Sequence, residues 1–186
     1  NWNVGPYALV VSLRYAALGL LAQHPGSGYD LLKRFEKSMA NVWPATQSQL
    51  YGELNKLAQT GLIEVGAVGP RGRKEYRVTE AGRAELVRWI TDPTDDPPFR
   101  SAPLLRVFLL DAVPAASARD YLKQLAEYAD AELKRYEGIR DSAGWALDSD
   151  ADFYARAALE YGLRTAGMEA QWARWAIAKI EERHAA

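Results

Sequence analysis

The sequence has no cysteine among its 186 residues, which excludes disulfides, cysteine-ligated zinc, iron–sulfur clusters and thiol nucleophiles and fits a reducing compartment. Only two histidines occur, His24 and His184. They stand at opposite ends of the chain, which argues against a multi-histidine metal site and leaves few candidates for a histidine-dependent triad. Long apolar runs are also missing. The most apolar stretch, Pro6 to Ala22, is broken by Ser12 and Arg14 and falls short of the roughly 20 residues of a membrane span. It has no small-residue cleavage site after a basic start, so a cytoplasmic protein without membrane contact is expected. The numbering opens at Asn1, and an initiator methionine or a short upstream segment is expected before it.

Nucleotide-binding glycine motifs in a strand-to-helix setting are absent, and Gly69-Pro70-Arg71-Gly72 lacks the Lys-Ser/Thr ending of a phosphate loop. Asp148, Asp150 and Asp152 lack the spacing and closing glutamate of a calcium loop; negative charge at a helix start explains them better. Neither a cofactor, nor a metal, nor an enzymatic activity is expected.

What is present is the composition of a globular protein, 48% hydrophobic, 25% charged and 11% aromatic, which argues against disorder. Four of the nine prolines fall between Asp92 and Pro103, where helix and central strand are both disfavoured. That stretch predicts a joint, with domains at residues 1–92 and 104–186 and a linker at 93–103. The formal net charge of −1 hides a division at the joint. Residues 1–92 hold eleven basic and eight acidic side chains, whereas residues 93–186 hold twelve and sixteen.

The first half predicts helix, helix, helix, hairpin, helix. Leu9 to Gln23 is apolar on nearly every side, as in a buried helix, and His24-Pro25-Gly26 stops it. Ser27 caps a second helix, in which Tyr29 is expected to pack its ring. Thr46 and Gln49 have capping-box spacing for a third that runs to Thr60 before Gly61. Leu62 to Val65 and Glu75 to Val78 read as two strands, and Thr79-Glu80 opens a fourth helix through Leu86, Trp89 and Ile90. The second half is helical throughout. A short helix begins near Pro103, a longer one opens at Ser117, and a last one runs from about Asp150 to Arg183. In the last, Tyr154, Ala158, Tyr161, Thr165, Met168, Trp172 and Trp175 repeat at alternating spacings of four and three, a coiled-coil-like seam.

On a wheel of about 100° per residue, Leu50, Leu54, Leu57 and Ala58 of the third helix share the core side. Ser48, Gly52, Asn55 and Gln59 lie opposite, flanked by Ala45, Gln49 and Lys56. Small and neutral polar groups suit a helix pressed into a DNA major groove, because Asn and Gln can pair bidentately with adenine and Ser with several base edges. A solvated polar face with an incidental glycine accounts for the same pattern. Arg71, Arg73 and Lys74 lie in the hairpin loop and could meet phosphate or a narrow minor groove; a solvated basic turn is the plain alternative. Location adds weight. A helix with an uncharged outer face, followed directly by a basic-tipped hairpin, is the order of a winged helix, a variant of helix-turn-helix. The expected fold is therefore mainly α: a winged helix-turn-helix domain of three helices, a two-stranded wing and a fourth helix, followed by an α-helical dimerisation domain.

The run Trp43-Pro44-Ala45-Thr46-Gln47-Ser48-Gln49-Leu50-Tyr51-Gly52-Glu53-Leu54, with Leu57 and Gly61-Leu62-Ile63, resembles the recognition helix of PadR-type transcriptional regulators. Leu18-Gly19-Leu20-Leu21, Ser27-Gly28-Tyr29-Asp30-Leu31 and the stretch Gly72 to Gly82 resemble that family too. The acidic second half looks like the longer C-terminal domain of the branch that includes virulence-gene activators. The resemblance implies a homodimer that binds double-stranded DNA at a pseudo-palindromic operator, as a repressor by the family's habit. It places Ser48, Gln49, Tyr51 and Asn55 at bases or nearby phosphates, Lys56 at phosphate, and Arg71, Arg73 and Lys74 on the wing. Gly52 departs from the bulkier residue or proline of many relatives. Tyr51 could equally pack its ring within the small domain.

Tyr161, Met168, Trp172 and Trp175 are the candidates for a two-fold interface, with closure of a bundle within one chain as the other reading. Some relatives stack flat aromatic compounds on tryptophan, so the resemblance extends to a small aromatic effector, for which Trp89, Phe108 and Trp172 are the candidates; Phe99 and Trp145 raise the same question. Tryptophan at helical spacing serves a core equally well. A protein-interaction adaptor without sequence-specific DNA binding is the competing function.

Overall fold

The computed structural model describes residues 6–39, 44–68, 74–92, 100–143 and 149–185, with side chains from residue 13 onward except those of 67, 68 and 185. The chain divides into two compact units, Asn1–Pro98 and Phe99–Ala186. The proline-rich stretch at 93–99 lies outside the described residues.

The first unit runs α1 (Pro6–Gln23), β1 (Gly26–Ser27), α2 (Gly28–Ser38), α3 (Gln47–Gln59), β2 (Ile63–Val68), β3 (Lys74–Val78) and α4 (Glu80–Thr91). Helix α1 packs against α2, α3, α4 and β3 at once, which is why its apolar residues are not confined to one face. Leu18, Leu21, Leu31, Phe35, Leu50, Leu54, Leu57 and Ile63 are the centre of the core. Arg34 of α2 closes the end of α1, donating to the carbonyls of Leu20 at 3.1 Å and His24 at 2.6 Å.

Local signals set the helix ends. Ser27 and Asp30 form a reciprocal capping box, as do Thr46 and Gln49. Helix α3 ends in a Schellman turn: the Leu62 amide donates to the Leu57 carbonyl at 3.0 Å and Gly61 to Ala58 at 3.2 Å, with Gly61 at φ +71. Thr79 caps α4 and ties it to the turn that ends α3, its hydroxyl donating to the Gly61 carbonyl at 2.8 Å. Gly82 sits so close to β2 that an added Cβ would lie 2.0 Å from the Leu62 carbonyl oxygen.

The two-stranded wing is present, and a third strand joins it: the sheet runs β1-β3-β2, antiparallel throughout. A two-residue strand carries no period-2 pattern, so its pairing of Gly26 with Tyr76 is invisible to periodicity. Tyr29, expected to pack its ring, does not: it is 59% exposed and lies about 110° round the helix from the direction shared by Leu31, Leu32 and Phe35. Lys33 stands over its ring instead, 5.7 Å from the centroid.

Helix α4 is fixed to α1 by a stack and a polar link. The rings of Tyr15 and Trp89 lie 4.5 Å apart and 9° from parallel, and the Tyr15 hydroxyl donates to Glu85 at 2.7 Å. Hydrogen bonds from Arg88, and then from Tyr15, hold the Glu85 carboxyl below the usual range. Burial, and then Glu85, pushes the Tyr15 hydroxyl up.

The second unit contains α5 (Ala102–Phe108), a 3₁₀ turn (Leu110–Ala112), α6 (Ala115–Ser142) and α7 (Asp150–Ala185). Helix α6 starts after Pro114, two residues before the expected Ser117, because Ala115 and Ala116 extend its first turn in the best helix-forming residue. Ser149 accepts from the Asp152 amide at 3.1 Å at the head of α7; Asp150 and Asp152 occupy the first turn, and Asp148 lies outside the described residues. Helices α6 and α7 pair antiparallel, with Arg119 opposite Glu181, Asp130 bonded to Arg174, and Tyr136 against Gly162. Their seam is built from small side chains: Ala118, Ala126 and Ala129 with Leu122 on α6, and Ala166, Ala170 and Ala173 on α7. The aromatic stripe therefore does not close the bundle within the chain. It lies about 150° round α7 from the alanines, and Tyr154, Tyr161, Met168 and Trp175 are exposed.

Candidate nucleic-acid interface

Helix α3 buries Leu50, Leu54 and Leu57 against α1, α2 and β2. Its other side shows Ser48, Gln49, Asn55, Lys56 and Gln59 to solvent. At Gly52, between them, a Cβ would meet no atom within 4 Å. The face is thus open and low in relief, and apart from the Lys56 ammonium it is made of neutral donors and acceptors.

The side chains on this face are not equally free. The Gln49 carbonyl oxygen closes the capping box, accepting from the Thr46 amide at 2.8 Å and the Thr46 hydroxyl at 3.1 Å. Its amide nitrogen alone is left to donate outward. Tyr51 is half-buried and its ring lies on Gly28, where an added Cβ would come 2.5 Å from Cε1. The packing role of Tyr51 is therefore real, while its side chain stays partly in solvent. Burial, followed by the neighbouring Tyr51, raises the pKa of the buried Tyr76 hydroxyl. Lys56 meets Glu53 at 2.7 Å. The wheel reading passed over Glu53, which lies at the margin of the leucine face and is only 5% exposed.

In the hairpin, Lys74 opens β3 opposite Val68, beyond an irregularity in the ladder after Val65, and is exposed. Arg71 and Arg73 lie outside the described residues. Of the effector candidates, Trp89 belongs to the first unit with one ring face covered by Tyr15. Phe108 and Trp172 belong to the second, Phe108 83% exposed and Trp172 half-buried. Phe99 and Trp145 fall outside the described residues. Among the described residues no cluster of acidic or histidine side chains could hold a metal ion, and no helix is long and apolar enough to cross a membrane.

Three helices with a short strand between the first two, a two-stranded wing and a fourth helix make a winged helix-turn-helix domain, here joined to a unit with two long antiparallel helices. The sequence matches the transcriptional regulator PadR-like family over residues 17–88 and the virulence activator alpha C-terminal domain over residues 99–181. Residues 17–88 thus form a domain of the PadR-like family of transcriptional regulators. It is 28% identical over 178 residues to the negative transcriptional regulator PadR of Bacillus subtilis, covering 91% of this chain and 98% of that one. A Mycobacterium tuberculosis protein named Probable transcriptional regulator Rv1176c is 36% identical over 86 residues, 45% of this chain and 46% of the relative, so that match spans less than half of either. Among solved structures, Bacillus subtilis PadR in complex with operator DNA superposes with a TM-score of 0.76 at 26% identity, covering 91% of this chain and 99% of that one. The same protein in complex with p-coumaric acid gives 0.76 at 25%, covering 96% and 98%. The Vibrio cholerae virulence activator AphA gives 0.77 at 26%, covering 92% and 99%.

Proposed function

We propose that this regulator binds double-stranded DNA as a homodimer on an inverted-repeat operator, represses transcription from it, and is released by a small aromatic ligand. Residues 1–92 form the DNA-binding domain, 104–186 the dimerisation and effector domain, and 93–103 the linker. The observation that carries the reading is the outer face of α3: exposed, neutral apart from Lys56, and open at Gly52, next in sequence to a hairpin with basic residues at 71, 73 and 74. Ser48, Gln49, Tyr51 and Asn55 read bases or adjoining phosphates in the major groove. Arg71, Arg73 and Lys74 neutralise backbone phosphate; Lys56, which the family resemblance places at phosphate, is already paired with Glu53.

Two half-sites about one DNA turn apart require two copies, and the exposed stripe with Tyr161, Met168, Trp172 and Trp175 supports self-association through α7. The aromatic effector draws support from the relative solved with p-coumaric acid and from the ring surfaces of Trp89, Phe108 and Trp172.

The test is selection of genomic fragments by the purified protein, repeated with a panel of aromatic acids. Recovery of one shared inverted repeat, bound by a dimer with affinity falling steeply in salt, is the expected result, and one compound should abolish it. Failure to enrich any sequence would sink the DNA-binding reading in favour of an interaction adaptor.

A further inference from the structure

Helix α3 carries two charged side chains, Glu53 and Lys56, and they are spent on each other, Nζ to Oε1 at 2.7 Å. The Glu53 side chain is 6% exposed and that of Lys56 is 60% exposed. Lys56 is the sole hydrogen-bond partner of the Glu53 carboxylate among the described residues. Releasing Lys56 would leave a buried carboxylate unpaired, a state far less favourable than losing an exposed pair. The ammonium is therefore tethered from the core side while its other donors remain in solvent.

We infer that Glu53 is a specificity-determining residue: its buried carboxylate neutralises the only cation of the reading helix, so α3 contributes base discrimination with little sequence-independent attraction. The inference rests on the DNA-binding reading above. Sequence-independent affinity comes from cations that displace counterions from phosphate. A lysine whose charge is already compensated within the protein displaces few of them. Non-specific attraction then falls to the wing, where Arg71, Arg73 and Lys74 lie, and α3 discriminates through Ser48, Gln49 and Asn55. An uncompensated Lys56 would strengthen every duplex alike and lower the ratio of operator to random DNA.

The experiment measures affinity for the selected operator and for a random duplex of equal length across a salt series, for wild type, E53Q, and E53Q/K56Q. E53Q should bind random DNA about five- to tenfold more tightly at 0.1 M salt, with a salt slope steeper by about 0.9, the value of one added phosphate contact. Its operator affinity should rise less, so the ratio falls. E53Q/K56Q exchanges a neutral pair for a neutral pair and should keep the wild-type slope. An unchanged slope in E53Q, or a slope shallower by about 0.9 in the double variant, overturns the inference, the latter by showing Lys56 to be a free phosphate ligand. Because the double variant leaves no lone charge on α3, a shallower slope in it overturns the inference whatever E53Q shows. A wild-type protein that binds neither duplex overturns the DNA-binding reading itself, a result separate from either slope.

Discussion

The ring of Tyr51 rests on Gly28: a Cβ at Gly28 would come 2.5 Å from Cε1 and 3.1 Å from the hydroxyl oxygen. One contact thus sets the spacing between the first residue of α2 and the exposed side of α3. Gly28→Ala should gain up to about 1 kcal/mol in helix propensity and still be destabilising, by about 1–3 kcal/mol of overpacking. Tyr51 is the group that must move, so operator affinity should fall as well. Thermal unfolding and a binding assay on one variant check both. A Gly28→Ala protein more stable than wild type with unchanged affinity would show the contact to be slack.

Gly82 and Gly52 give opposite predictions from the same substitution. At Gly82 the obstacle is backbone, the Leu62 carbonyl oxygen at 2.0 Å, which has no rotamer to escape into. Gly82→Ala should cost about 3 kcal/mol or more and separate α4 from the start of β2. At Gly52 nothing lies within 4 Å, so Gly52→Ala should stabilise α3 by about 1 kcal/mol. If α3 enters a groove, that gain should accompany weaker operator binding. Higher melting temperature with unaltered affinity would place Gly52 away from the DNA.

The capping box narrows what Gln49 can read. Bidentate recognition of adenine needs the side-chain oxygen and nitrogen together, and the oxygen is held by Thr46. Only donation remains, which fits guanine N7 or O6, thymine O4 or phosphate, and reaches adenine N7 without singling adenine out. Gln49→Ala should therefore relax selection at a guanine or thymine position. Thr46→Val, which removes the hydroxyl from the cap, should cost about 1 kcal/mol and raise tolerance for adenine there. Binding-site selection with each variant reads this directly; an adenine preference in wild type would contradict the fixed cap.

Sequence signals that act within one turn of chain were legible. The capping residues Ser27, Thr46 and Thr79 and the left-handed Gly61 fall where residue type and spacing place them. The reading missed features that depend on what arrives from elsewhere in the chain. Strand β1 exists because β3 lies beside it. Tyr51 packs because residue 28 has no side chain, and Glu53 is buried on a helix whose wheel marks it as marginal. The seven-residue repeat in α7 identified a real apolar stripe but not its partner, since the alanines make the closer intrachain seam. Close approach of two helices favours small residues, and a hydrophobic-periodicity reading gives the larger side chains the greater weight.

Glu85 and Glu169 should titrate stability in opposite directions. Hydrogen bonds from Arg88, then Tyr15, lower the Glu85 pKa. Its contribution is complete above the ordinary glutamate range and is lost as pH falls through the lowered value. Glu85→Gln should therefore be less stable than wild type at pH 7, with the gap narrowing below about pH 4.5. Burial alone raises the Glu169 pKa, so the folded state disfavours its charge. Glu169→Gln should be more stable at neutral pH, and that gain should vanish in acid, where the wild-type carboxyl is protonated in both states. Melting curves from pH 3 to 7 separate the two.

The exposed stripe on α7 yields a test in which folding and assembly come apart. Tyr161 is 74% exposed and Trp175 58% exposed in the single chain, so replacing them removes little packing within it. Each aromatic ring buried between copies would remove about 150–250 Å² from water, enough for a few such side chains to dominate a two-fold interface. Tyr161→Asp with Trp175→Asp should leave helical content and melting temperature near those of an isolated wild-type chain, while sedimentation shifts from dimer to monomer and operator affinity is lost with the second half-site. Ala170→Leu is the opposing control. Its side chain points into the α6–α7 seam, where Ala170 is buried, so overpacking should cost about 1–3 kcal/mol and unfold the helical unit rather than merely separate two copies. A double aspartate variant that remains dimeric would assign self-association to another surface, and one that unfolds would show that the stripe packs within its own chain.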